Sequence, residues 1–158
     1  MSTLKTNKEQ VLEAYNNADD NGKKLLIDLY GAENFLIKIT DRVLGYVSAT
    51  NVLGIKIKTL EQFEELYDKD DARRQFARYK LTVMAKALNE NWKPDFENES
   101  QYKYYNWMYN KKNGLVLDFS YTYDDCVIGS DLCLETRDKA NHLAKIAKDE
   151  YATYIFGY

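Results

Sequence analysis

The stretch from Tyr102 to Tyr158 constrains the fold of this chain more than any other. In its first segment, Tyr105, Trp107 and Tyr109 fall on one face of an extended strand. In its second, Leu115, Leu117, Phe119, Tyr121 and Tyr123 share a face, with Asp118, Ser120 and Thr122 opposite. Period-two alternation is the pattern of a half-buried antiparallel strand. Asn113-Gly114 supplies the positive φ angles that a tight connection between two such strands needs. The short apolar run Leu132-Cys133-Leu134 reads as a third strand. A helix from Thr136 to near Phe156 follows, with Ala140, Leu143, Ala144, Ala147, Tyr151, Tyr154 and Ile155 as its apolar stripe. That stripe is expected to cover the sheet, giving a C-terminal antiparallel β-β-β-α unit.

Upstream, the helical pattern dominates. Thr6-Asn7-Lys8-Glu9 and Thr59-Leu60-Glu61-Gln62 are capping boxes that open helices. Leu25, Leu26, Ile27, Leu29 and Tyr30 form a short helix that Gly31 stops. Phe35 to Ile39 reads as a short strand or an extended connector, and Thr40 to Gly54 as a poor helix. The strongest helix spans about Asp71 to Asn91, with Phe76, Val83, Met84, Ala87 and Leu88 in one stripe, and Pro94 ends it. The fold class is α+β: N-terminal helices, a long central helix and the β-β-β-α unit. Residues 1–70 form a mostly helical region, and residues 71–158 hold the central helix, the aromatic sheet and the last helix.

Composition narrows the function. A 45% hydrophobic share against 30% charged marks a globular chain. The formal net charge of −3 argues against non-specific duplex binding. Cys126 and Cys133 are too few for a disulfide scaffold, and a single His leaves no zinc pattern. The polar N-terminus and the lack of a long apolar run point to a cytoplasmic protein with no membrane partner. No glycine-rich phosphate loop is present, so no cofactor is expected.

Lys80-Leu81, the run Met84 to Phe96, Tyr104-Tyr105-Asn106-Trp107, and Gly129-Ser130-Asp131-Leu132-Cys133-Leu134 ahead of an aromatic-ended helix together form a recognisable pattern. With Leu29-Tyr30-Gly31 and Ile39-Thr40-Asp41-Arg42-Val43, it resembles an uncharacterised family carried by phages, prophages and mobile elements of Bacteroides-like gut bacteria. Asp131 stands where that group more often has Arg. The resemblance implies a mobile-element origin and carries no catalytic residues with it.

The residues themselves offer few reactive sets. Asp118, Asp124, Asp125 and Asp131 cluster in sequence, but adjacent Asp residues at a strand end are more simply turn residues than metal ligands. His142 lies among Asn141, Lys145 and Lys148 without a nucleophile and an orienting carboxylate, and reads as a solvated surface residue. Cys126 lacks a cationic neighbour to activate it, and Cys133 reads as a small core residue. An enzyme is therefore not expected.

Binding is the remaining class. Arg73, Arg74, Arg78, Lys80, Lys86 and Lys93 face only Asp71 and Glu90 between residues 71 and 93. Lys103, Lys111 and Lys112 lie beside Tyr102, Tyr104 and Trp107. The leading expectation is a non-enzymatic protein that binds a host or phage protein, a defence component among them. The alternatives are a single-stranded nucleic-acid-binding module, in which cations neutralise phosphates beside stacking rings, and a minor virion or assembly protein.

Overall fold

A computed structural model describes residues 8–31, 35, 38–111, 114–122 and 129–157. Backbone contacts divide the chain into two compact units, Met1–Asp41 and Arg42–Tyr158. The division falls ahead of residue 70 because the helices between 46 and 64 pack on the central helix.

In the first unit, α1 (Lys8–Asn17) and α2 (Asp20–Tyr30) pack together. The Asp19 carboxylate accepts from the Gly22 N–H at 2.8 Å and caps α2, satisfying a donor that the helix itself cannot. Gly31 ends α2 as expected, donating its N–H to the Ile27 carbonyl. Phe35 is buried, stacked on Tyr15 with centroids 4.7 Å apart and set edge-on to Tyr30. The strand or connector reading of Phe35 to Ile39 gives way at its end, where Ile39 begins α3 (Ile39–Arg42). Leu36 and Ile37, like the Thr6 cap, lie outside the described residues.

The second unit is built around α6 (Lys69–Asn89), packed by α4 (Tyr46–Leu53), α5 (Glu61–Glu64), α7 (Arg137–Ile146) and α8 (Lys148–Phe156). The Asp68 carboxylate caps α6 through the Asp70 and Asp71 N–H groups, so the helix starts two residues before Asp71. Its second half is buried almost all round, through Leu81, Val83, Met84, Ala85, Ala87 and Leu88. The stretch that reads as a poor helix forms α4 after all. Packing on α6 overrides its weak propensity. Tyr46 sets edge-on to Phe76 and Tyr79, and its hydroxyl bonds both the N–H and the carbonyl of Lys58. Burial, the first of these influences, raises the Tyr46 hydroxyl pKa above the ordinary tyrosine value. At α5, Gln62 Oε1 accepts from the Thr59 N–H at 3.1 Å, the reach-back half of the expected capping box.

Strands β1 (Lys103–Lys111) and β2 (Gly114–Thr122) pair antiparallel, with Trp107 opposite Asp118 and Tyr104 opposite Tyr121. Among the described residues the sheet has these two strands, and the expected third is reduced to one bridge. Tyr104 and Leu134 exchange both backbone bonds, at 2.9 and 2.7 Å. On its other side the run meets Asn89, whose Nδ2 donates to the Cys133 carbonyl and whose Oδ1 accepts from the Glu135 N–H. A buried side-chain amide thus takes the place of further strand pairing, and Leu132 belongs to a 3-10 turn at Ser130–Leu132. The single final helix expected from the sequence is two helices that meet at Ala147, a fully buried residue with φ −130°. Its stripe covers the sheet mainly through α7, which packs on both strands, whereas α8 packs chiefly on α6 and only touches β1.

Candidate functional site

Strand parity sorts the hairpin side chains into two faces. Tyr104, Asn106 and Met108 point to the side covered by α7 and α8. Asn106 Nδ2 donates to the Ala140 carbonyl at 2.9 Å and to the Tyr151 hydroxyl at 3.3 Å. Burial holds the Tyr151 proton far above the ordinary tyrosine range, and the bond from Asn106 partly offsets it. Asn106 and Met108 are buried.

Tyr105, Trp107, Tyr109 and Lys111 point the other way. Trp107 is 41% exposed and stacks on Tyr109 with ring centroids 4.6 Å apart. The Lys111 ammonium stands 5.0 Å above the Tyr109 ring. Tyr109, placed on the Trp107 face by its alternation but absent from the residues expected to bind, belongs to this surface. The two-residue alternation that places it beside Trp107 was the available signal.

The other residues expected to bind disperse. Lys103 is 0% exposed, which corrects its reading as a surface cation. Its Nζ donates to the Asn98 carbonyl at 2.9 Å and lies 5.3 Å from the Phe96 ring centroid, so the 95–101 loop closes over it. Tyr102 and Tyr104 stack with each other and meet Tyr121, forming a second aromatic cluster apart from the Trp107 face. Lys112 lies outside the described residues, as do Asp124, Asp125 and Cys126.

The cations of α6 are also divided. Arg78 is tied inward: one guanidinium nitrogen reaches both Asp131 oxygens at 3.1 Å, and another reaches the Tyr154 hydroxyl at 2.7 Å. Burial pulls its pKa down, but Asp131 and Tyr154 together hold it above the ordinary value. Gly129, at φ 97°, leaves room for this cluster. A β-carbon there would collide with the Asp131 carboxylate. Lys80 pairs with Glu150 at 2.9 Å. Arg73 and Arg74 are exposed, Arg73 lining a cleft with Leu60 and Phe76, and Arg74 lying against Gly157.

His142 is not a solvated residue. It is half-buried, with Nε2 2.6 Å from the Val43 carbonyl oxygen, so Nε2 carries the proton. Cys133 is buried, as its apolar setting implies. Among the described residues, no group of three or more His, Cys, Asp or Glu could hold a metal, and no helix is long and apolar enough to cross a membrane. Comparison of the chain with protein-family models, curated proteins and solved structures gives no match.

Proposed function

We propose that this is a non-enzymatic binding protein of phage or mobile-element origin. It acts in the bacterial cytoplasm by contacting a host or phage protein with the outer face of the β1–β2 hairpin. The observation that carries this reading is the exposed Trp107 ring stacked on the half-buried Tyr109, with Lys111 above Tyr109. Trp and Tyr held on a paired strand lose little side-chain freedom on binding and dominate the energetics of protein interfaces. The matching partner offers an apolar pocket for Trp107 and a carboxylate at its rim for Lys111. Three cations that a nucleic acid would recruit are spent within the fold: Lys103 on the 95–101 loop, Arg78 on Asp131, and Lys80 on Glu150. That distribution, with the net charge of −3, favours a protein over a single-stranded nucleic acid. The sequence resemblance supports the mobile-element setting, in which blocking a defence component is one use of such a surface.

The test is a photo-reactive residue in place of Ser120, on the same face, irradiated in gut-bacterial host cells and followed by nuclease treatment. The expected result is one protein adduct that Trp107→Ala abolishes and Leu66→Ala, at an exposed residue outside the hairpin, leaves intact. Adducts made of nucleic acid, or adducts indifferent to Trp107→Ala, would overturn the reading.

A further inference from the structure

The C-terminal end of α6 borders a cleft of about 450 Å³, a size that suits a small molecule. Lys86, Trp92, Lys93, Pro94 and Asp131 are among its walls. Three of its polar side chains, Asp131, Thr82 and Asn89, are already used. Asp131 accepts from Arg78 and from the Thr82 hydroxyl, and both ends of the Asn89 amide are bonded to backbone. The ammonium groups of Lys86 and Lys93 differ: both residues are exposed, and neither ammonium has a hydrogen-bond or ion-pair partner among the described residues. With Asp131 balanced by Arg78, Glu90 is, among the described residues, the one lining carboxylate left against these two cations.

The turn that shapes the cleft is strained. Glu90 has φ 55° and ψ −108°, and is the one non-glycine residue with positive φ among the described residues. Side chains disfavour that region, and such conformations concentrate at ligand sites. Here the turn folds the chain back so that the Trp92 N–H bonds the Asn89 carbonyl at 2.9 Å, placing Trp92 at the cleft. Lys86 alone would be explained by the partial negative charge of the helix end, which it offsets. That effect does not account for the convergence of Lys93, Trp92 and a strained turn on the same cleft.

We infer that this cleft binds a small ligand that joins a flat ring to an anionic group, the chemistry of a mononucleotide. The ring lies against Trp92 and Pro94, and the phosphate sits between Lys86 and Lys93. A free nucleotide and the terminal nucleotide of a single strand both present this chemistry. The inference is independent of the hairpin surface.

The full chain carrying Trp107→Phe leaves Trp92 as its one tryptophan, so its fluorescence reports on the cleft. It is titrated separately with AMP, UMP, adenosine, inorganic phosphate and a 5′-phosphorylated tetranucleotide. The expected result is saturable quenching by the mononucleotides that weakens with added salt. Lys86→Ala/Lys93→Ala should weaken it by about tenfold or more, with adenosine and phosphate each weaker than AMP by a similar factor. Both lysines are exposed, so an unchanged circular-dichroism melting curve should accompany that loss. Tighter binding of the tetranucleotide than of AMP would assign the ligand to a strand end. No saturable change at millimolar nucleotide, affinity unchanged in the double-lysine variant, or phosphate binding as tightly as AMP would overturn the inference.

Discussion

Asn106 and Met108, on one face of β1, are buried beneath α7 and α8, whereas Trp107, between them, is exposed and Tyr109, beyond them, is half-buried. From Asn106 to Tyr109 the strand therefore serves two ends, with even-numbered residues joining the hairpin to the core and odd-numbered ones presenting aromatic rings. The odd face is itself divided. At its Lys103 end the 95–101 loop covers it, and from Trp107 to Lys111 it is open. Parity decides which residues share a face, and long-range packing decides which part of that face a partner could reach.

Substitutions can sharpen this contrast, beginning with the core. Met108→Ala should cost about 2–5 kcal/mol, since a buried side chain is deleted beneath packed helices. Urea unfolding measures it. A loss below about 1 kcal/mol would mean that this face is not part of the core.

Lys103→Met keeps the buried stem but removes the charged bond to the Asn98 carbonyl. A loss of about 1.5–3 kcal/mol is expected. Faster amide exchange confined to residues 95–101 would identify the loop as what the lysine holds.

Tyr151→Phe removes the hydroxyl that accepts from Asn106 and should cost about 0.5–1.5 kcal/mol at neutral pH. Its pH dependence has a definite sign. The folded state holds the Tyr151 proton more tightly than the unfolded chain does. The associated stability is therefore fully present below the ordinary tyrosine pKa of about 10 and is lost as pH rises through the higher folded value. The wild-type protein should lose stability more steeply than Tyr151→Phe above about pH 10, measured by unfolding along a pH series.

The smallest structural effect is expected at Asp131→Asn. The Arg78 and Asp131 side chains are 37% and 35% exposed, so solvent screening limits the pair to below about 1 kcal/mol. A larger loss would make this ion pair a major fastening between α6 and the 3-10 turn.

How much of this was legible in the sequence depended on the range of the forces involved. The strands were readable because alternation is local, and β1 and β2 fall within two residues of the expected segments. The central helix was readable from its stripe, with its start displaced by the Asp68 cap. Among the described residues the third strand is cut to one bridge at Leu134, because a 3-10 turn at Ser130–Leu132 precedes it and the Thr136 cap of α7 follows it. That confinement was not readable. The break at Ala147 was hidden by alanine's high helix propensity. Lys103 misled for a related reason. A lysine beside tyrosines reads as a surface cation until a loop closes over it, and a residue pattern does not encode that closure. Arg78 and Asp131, and likewise His142 and Val43, meet only once the chain is folded. The surface centred on Trp107 was half visible: its rings were legible, and the removal of Lys103 from it was not.

The most direct test combines stability and capture in a single variant, Trp107→Ala, with the photo-reactive residue at position 120. If the outer face binds rather than supports the fold, the thermal midpoint should move by no more than about 2–4 °C, equivalent to about 1 kcal/mol in a chain of this size, while the protein adduct disappears. A midpoint that falls as far as in Met108→Ala, or an adduct that persists, would contradict the assignment of binding to this face.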